Sequence, residues 1–168
     1  MSEAEKSESK RLLRTALVVA VVGVVVLVPL AWLAVRMYND NIQQKVIAAN
    51  EALALATLEN LQAQEQSSKE TTGQYATFQQ LADAGAIQAP LSGDALVSDG
   101  YRFTLRVTPK TDTQAPAYSV NADPVRATGR DATGRRHFFI SSEVTGVRYN
   151  EERPATAADK PRLTGTEY

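Results

Sequence analysis

The longest apolar pattern in the chain is the run from Ala16 to Val35, which contains no charged residue. A segment inside hydrocarbon must pair its own backbone N–H and C=O groups, so this run predicts a helix. At about 1.5 Å per residue it covers roughly 30 Å, the apolar thickness of a bilayer. A cleaved secretory signal has a shorter apolar core of about 7–15 residues, and Trp32, Leu33 and Arg36 occupy the place where cleavage would occur. We therefore predict a retained transmembrane anchor over residues 15–38.

Beyond the anchor the pattern becomes that of an amphipathic helix. Residues 42–66 contain no Pro or Gly, and good helix formers predominate. Apolar residues recur there at spacings of three and four in two adjacent rows. One row is Val46, Ala49, Leu53, Ala56 and Asn60, and the other is Ile47, Ala54, Leu58 and Leu61. Such a wide stripe must cover another surface, and a stalk that dimerises as a coiled coil is the alternative interpretation.

The segment after the long helix predicts a short helix and then a loop. The polar stretch 67–73 ends the first helix, and residues 75–86 predict a second one. Thr77 is a suitable N-cap for it, and Gly85 a suitable stop. Residues 87–98, punctuated by Pro90 and Gly93, predict a loop that leads to an Asp-Gly turn at 99–100.

The C-terminal half alternates in the manner of β-strands. In the first strand Tyr101, Phe103, Leu105 and Val107 share one face, while polar residues occupy the other. The predicted strands are Tyr101–Thr108, Ala117–Ala122, Arg136–Ser141 and Gly146–Asn150. Their short connections indicate an antiparallel meander with one buried face, so the fold class is α+β. Residues 151–168 lack apolar periodicity and predict a flexible C-terminal tail.

Basic residues around the anchor predict its orientation. Lys6, Lys10, Arg11 and Arg14 precede it, whereas only Arg36 and Lys45 follow closely. This excess favours a cytoplasmic N-terminus. The predicted organisation is a cytoplasmic tail over 1–14, the anchor over 15–38, an extracytoplasmic domain over 39–150 and the tail over 151–168.

Composition narrows the classes of function. The net charge is −1 and the pI is near 5.9, which argues against a nucleic-acid binder that works through bulk charge. Cysteine is absent, so the chain has no disulfide, thiol nucleophile or thiolate metal site. Histidine occurs once, at His137, which excludes sites built from several histidines.

The remaining polar residues do not form a recognisable catalytic pattern. His137 would need a nucleophile and an orienting carboxylate, but a strand spreads out the nearby residues 141–143. The turn carboxylates lack the compact spacing of a calcium loop and are better explained as turn caps; they are Asp94, Asp99, Asp112, Asp123 and Asp131. A basic neighbourhood could meet lipid phosphate or an acidic partner, although a solvated loop is the simpler interpretation; it comprises Arg126, Arg130, Arg135 and Arg136. We therefore expect no catalytic, cofactor-binding or metal-binding residue, and no enzymatic activity.

Several segments resemble type IV pilins and the pseudopilins of type II secretion. These are residues 48–66 (AANEALALATLENLQAQEQ), 73–86 (GQYATFQQLADAGA), 100–105 (GYRFTL), 117–124 (AYSVNADP) and 136–150. The resemblance implies a transmembrane helix that continues as an amphipathic helix and packs on a small antiparallel sheet. It also implies a structural or interaction protein of the inner membrane, a component or accessory of a pilus or secretion assembly. The expected partners are membrane lipid and other assembly proteins, with self-association through the N-terminal helix, and not nucleic acid.

The N-terminal region departs from the pattern of that family. Family members carry a Gly at the cleavage point and a Glu five residues into the mature helix. Here the corresponding region reads Lys10–Leu17 (KRLLRTAL), with no Gly before the anchor and no acidic residue inside it. A free-standing single-pass binding or scaffold protein that does not enter filaments is therefore the alternative function.

Overall fold

The computed structural model of the protein describes residues 3–87 and 91–162. It has an α+β architecture with one long N-terminal helix, one short helix and a seven-stranded antiparallel sheet. The chain divides into two compact units, residues 1–42 and 43–168. The sheet, the short helix and the core all belong to the second unit.

Helix α1 spans Glu3–Thr72 and contains Pro29. It ends inside the polar stretch 67–73, as predicted, and it continues to Thr72 because that stretch contains no strong helix breaker before Gly73. Gly73 has φ +75°, a left-handed conformation that glycine adopts without steric cost, and its N–H donates to the Lys69 carbonyl at 2.9 Å.

The membrane anchor predicted over 15–38 is described only in part. The side chains of residues 15–22 and of Val24 lie outside the described residues. In the part of the chain that the structure describes, no helix is both long and apolar enough to cross a membrane.

Helix α2 spans Phe78–Asp83 and begins at the predicted cap. The Thr77 hydroxyl accepts from the Gln80 N–H at 3.3 Å, and the Gln80 side chain accepts from the Thr77 N–H at 2.8 Å. This reciprocal capping box satisfies backbone donors that a helix N-terminus otherwise leaves free. Phe78 and Leu81 are buried, so α2 adds its apolar face to the core.

The sheet is a meander whose strands lie side by side in chain order. The strands are β1 (Leu91–Ser92), β2 (Ala95–Ser98), β3 (Tyr101–Thr108), β4 (Ala117–Pro124), β5 (His137–Ser141), β6 (Val144–Asn150) and β7 (Lys160–Pro161). The four predicted strands are all present. The loop predicted over 87–98 is wrong for 91–98, where β1 and β2 form a hairpin across Gly93. Strands of two and four residues are too short to show a period, and residues 88–90 lie outside the described residues.

The tight turn between β2 and β3 requires the Asp-Gly sequence. Asp99 has φ +50° and Gly100 has φ +76°, and two left-handed residues in succession match the twist of a hairpin. A Cβ at Gly100 would also lie 2.7 Å from the Thr133 Cβ, so a larger residue would displace the loop packed there.

The core lies between one face of the sheet and one row of α1. Tyr101 and Phe103 of β3 are fully buried, as the alternation predicted, and Tyr118 and Val120 of β4 are also buried. The row Ile47, Ala54, Leu58 and Leu61, here called the sheet-facing row, is buried, and all of it except Ile47 joins the same core cluster, with the neighbouring Leu55. The second apolar row does not join this core, so the single wide covering stripe expected from the sequence is corrected to one row.

The flexible tail predicted from residue 151 is corrected for residues 151–162, which we call the strap. Its Ala155 is 1% exposed, and the Ala155 carbonyl accepts from the Asn121 side chain at 2.7 Å. Asp159 fastens the strap by accepting from the side chains of Asn150, at 2.8 Å, and Arg153, at 2.8 and 2.9 Å. These hydrogen bonds hold the pKa of Asp159 well below its usual range. Specific polar contacts order this segment, which is why hydrophobic periodicity did not reveal it.

Candidate functional site: an apolar row on the long helix

The second apolar row of α1, Val46, Ala49, Leu53, Ala56 and Asn60, is exposed along its whole length; we call it the flank row. Val46 is 44% exposed and Leu53 is 47% exposed, whereas Leu58 on the sheet-facing row is fully buried. Successive helical residues turn by about 100°, so the flank row points roughly 120° away from the sheet-facing row. Val46 and Leu53, with alanines between and beyond them, make this exposed helix face a candidate contact surface.

The first unit, taken by itself, also carries exposed apolar residues. Every described side chain from Val25 to Tyr38 is exposed, on all sides of the helix. The Arg36 guanidinium lies 5.5 Å from the centre of the Trp32 ring, a cation–π contact. Helices that are apolar on all sides are typical of protein cores and of membrane spans.

The edge of α1 that borders the sheet is occupied by the loop between β4 and β5. Polar side chains of α1 hydrogen-bond to backbone groups of that loop. The pairs are Gln43 Nε2 to the Ala132 carbonyl at 2.7 Å, Asn50 Nδ2 to the Thr133 carbonyl at 2.9 Å, and the Arg135 N–H to Glu51 Oε1 at 3.0 Å. These contacts fix the rotation of α1 on the sheet, and they leave the flank row uncovered.

His137 forms a partly buried pair with a carboxylate, and the described residues around it do not complete a catalytic arrangement. Its Nδ1 lies 2.6 Å from Asp123 Oδ1, and the residue as a whole is 9% exposed. Among the described residues no serine hydroxyl is hydrogen-bonded to the imidazole; Ser141 Oγ accepts instead from the Glu143 N–H and Ser142 Oγ from the Tyr118 N–H. The pair can therefore orient strands, but it has no nucleophile to activate.

The other polar residues singled out in the sequence do not converge. Within the described ranges, no group of three acidic or histidine side chains is arranged to hold a metal ion. Of the four arginines, Arg136 makes ionic contacts, to Glu51 at 3.7 Å and to Glu151 at 3.4 Å. Arg126, Arg130 and Arg135 have exposed side chains.

Sequence reasoning missed one buried ionisable residue, Glu65. It is 0% exposed, and its Oε2 accepts from the Ala76 N–H at 2.9 Å. Burial raises the pKa of this carboxyl to about 7, and the Ala76 hydrogen bond opposes the shift only in part. Glu65 follows Leu61 by four residues, so helical periodicity places it on the sheet-facing side of α1, and its burial could have been predicted from that spacing.

A shallow depression lies between α1 and the segment that leads into the sheet. It has a volume of about 160 Å³, and its lining includes Leu61, Ile87 and Leu96 without any charged residue. Pockets that bind small molecules are usually of about 300–1,000 Å³ with convergent polar groups. The flank row is therefore a stronger candidate for function than this depression.

Comparison of the chain with protein-family models, with characterised proteins and with solved structures gives no match, so the fold and the surfaces described above are the basis for its function.

Proposed function

We propose that the protein is a single-pass inner-membrane protein with a pilin-like extracytoplasmic domain. In this proposal it acts as a structural or interaction component, or as an accessory, of a type IV pilus or type II secretion-like assembly. Residues 15–38 anchor it with the N-terminus in the cytoplasm. It works by contacting lipid and other membrane or assembly proteins, and it is not an enzyme.

The observation that carries the proposal is that α1 has an exposed, apolar N-terminal part and a C-terminal part that packs on a sheet. Residues 25–38 present apolar side chains on every side, which suits a bilayer. Within the second unit, residues from Ile47 to Glu65 pack on an antiparallel meander. The resemblance to type IV pilins and pseudopilins favours an assembly of that class; it rests on residues 48–66, 73–86, 100–105, 117–124 and 136–150.

The alternative is a free-standing anchored scaffold protein, and a feature of the anchor favours it. The run from Ala16 to Val35 contains no acidic residue that could pair with a new terminal ammonium in a bundle of helices. Retaining residues 1–14 would also bring charged side chains next to that bundle. On insertion scales each charge at the centre of an apolar slab costs roughly 2.5–3.5 kcal/mol.

The proposed function is tested by fractionating cells that assemble type IV pili and carry the full chain. We expect the protein in the membrane fraction, with a mass that includes residues 1–14, and cross-linked in place to pilus or secretion proteins. Membrane residence without such cross-links would support the free-standing alternative. Release by shear in a form shortened at the N-terminus would identify a filament subunit, and absence from membranes would contradict both functions.

A further inference from the structure

We infer that the flank row is covered by a second copy of this chain, in a parallel, in-register helix pair. The proposal concerns a specific contact between two domains, and it goes beyond the pilin-like function proposed above. It is carried by the spacing of the flank row, by its asparagines, and by the charges beside it.

The spacing of the flank row is that of a coiled-coil seam. Its members follow one another at intervals of three, four, three and four residues, from Val46 to Asn60. In the sequence the same alternation continues toward the N-terminus through Ile42, Asn39, Val35 and Trp32. A repeat of seven residues keeps one face of a helix against another helix, whereas packing on a flat sheet does not require it.

Two asparagines select the parallel arrangement. Counted in heptads, Val46 and Leu53 occupy one kind of core position, and Asn39 and Asn60 occupy the same kind. In a parallel, in-register pair each asparagine meets its own counterpart, and the two amides can hydrogen-bond to each other. In an antiparallel pair centred on residue 51, which places Leu53 opposite Ala49, Asn60 would instead face Ile42. A buried amide would then lack a hydrogen-bond partner, which disfavours the antiparallel arrangement.

The charges beside the flank row permit two copies to approach. All of its members are uncharged, and the outer edge carries one basic residue, Lys45, and one acidic residue, Glu59. In the parallel pair these would lie opposite Asn50 and Gln64 of the second copy, so no like charges face each other. From Val46 to Ala56 the row is exposed and faces away from the sheet-facing row, whereas Asn60 borders the depression beside Leu96.

The size of the row determines where the pair forms. Fifteen residues span about 22 Å of helix, and a strip about 10 Å wide buries on the order of 200 Å² per copy. Stable interfaces bury about 800 Å² per partner, so this contact is weak between dilute molecules. Confinement of two copies to one membrane raises their effective concentration, and this part of the argument rests on the proposed anchor.

Disulfide trapping tests the inference directly, because the natural chain contains no cysteine. The full chain carrying Ala49→Cys, in membranes, should form a cross-linked dimer about tenfold faster under mild oxidation than one carrying Ala48→Cys, since a disulfide requires Cα atoms within about 7 Å. Ala48 is an equally exposed alanine on α1 that lies off the row. If the protein is found outside the membrane fraction, the proposed anchor is wrong. The rates of cross-linking at positions 48 and 49 can then be compared at millimolar concentration in solution, which still tests the helix pair.

Two further variants distinguish cross-linking through a specific helix pair from cross-linking by random collision of two copies. In the Ala49→Cys chain, Leu53→Glu should reduce cross-linking about tenfold by placing two carboxylates together, with little change in melting temperature because Leu53 is exposed. Gln62→Glu adds the same charge off the row and should leave cross-linking unchanged. Equal cross-linking at 48 and 49, or none at either, would overturn the inference. Preferential cross-linking of Ala49→Cys copies to Leu53→Cys copies would overturn the parallel arrangement.

Discussion

Glu65 shows at the scale of one residue how the core depends on pH. Its carboxyl lies inside the apolar layer between α1 and the sheet, where the charged form loses its hydration. The hydrogen bond from the Ala76 N–H ties the end of α1 to the segment that leads into α2. Through this hydrogen bond Glu65 stabilises the turn between α1 and α2. Ionisation of the buried carboxyl lowers the stability of the fold, because the charged form is poorly solvated there.

We predict that the free energy of unfolding decreases as the pH rises from about 5 to 8. The pKa of Glu65 is about 7 in the folded chain and 4.5 in a model peptide, so between these values the native state holds a proton that the unfolded state has lost. Stability is then lost as the pH rises through this window, by on the order of 3 kcal/mol. Thermal melts of the full chain at pH 5, 6, 7 and 8 measure the effect.

The matched variant is Glu65→Gln, whose amide oxygen can still accept from the Ala76 N–H. It should show a weaker dependence on pH than the natural chain and a higher melting temperature at pH 8. The comparison also cancels the contributions of all ionisable groups that the two proteins share. Parallel pH profiles for the two proteins would show that Glu65 is not the titrating group.

Helix α1 shows at the scale of an element what periodicity can and cannot determine. The spacing of apolar residues predicts a helix and two rows, and the sheet-facing row is the more apolar of the two, but spacing alone does not say how the helix is rotated on the sheet. The choice between them is made by Gln43, Asn50 and Glu51, whose side chains bind the loop after β4 and fix the rotation of the helix. Contacts between residues more than eighty positions apart leave no local pattern from which they could be predicted.

The length of a strand determines whether it could be predicted from the sequence. β3 and β4 were predictable because eight residues of alternation against one buried face are a strong signal. β1, β2 and β7 have two to four residues, and the strap is held by the side chains of Asp159 and Asn121. The residues of the flank row were visible in the sequence, but their exposure depends on the tertiary packing of α1.

We predict that two leucines on α1 differ sharply in their contribution to stability. Leu58→Ala should lower the free energy of unfolding by about 2–5 kcal/mol, because it leaves a cavity in the core. Leu53→Ala, on the same helix and with the same loss of atoms, should change it by less than about 0.5 kcal/mol. Chemical denaturation of the two variants measures the difference, and equal losses would mean that the rotation of α1 is mistaken.

At the scale of the whole molecule, the proposed anchor makes a prediction about topology. A reporter that is active only outside the cytoplasm should be active when fused after Tyr168 and inactive when fused before Met1. The reason is the excess of basic residues at 6–14 over those that follow the anchor. Replacing Lys10, Arg11 and Arg14 by Gln should reduce the signal from the C-terminal fusion. A reporter active only at Met1 would show the opposite orientation.

The two outermost strands of the sheet restrict how the domain can associate. An open sheet exposes unpaired backbone groups at its borders, onto which a strand from another protein can add. Here β1 and β7 have two residues each, and β7 consists of Lys160 and Pro161. Lysine adds a charge to this border, and proline offers no N–H for a further strand. Strand addition onto β7 is thereby disfavoured, and at the opposite border the two residues of β1 offer little length for it.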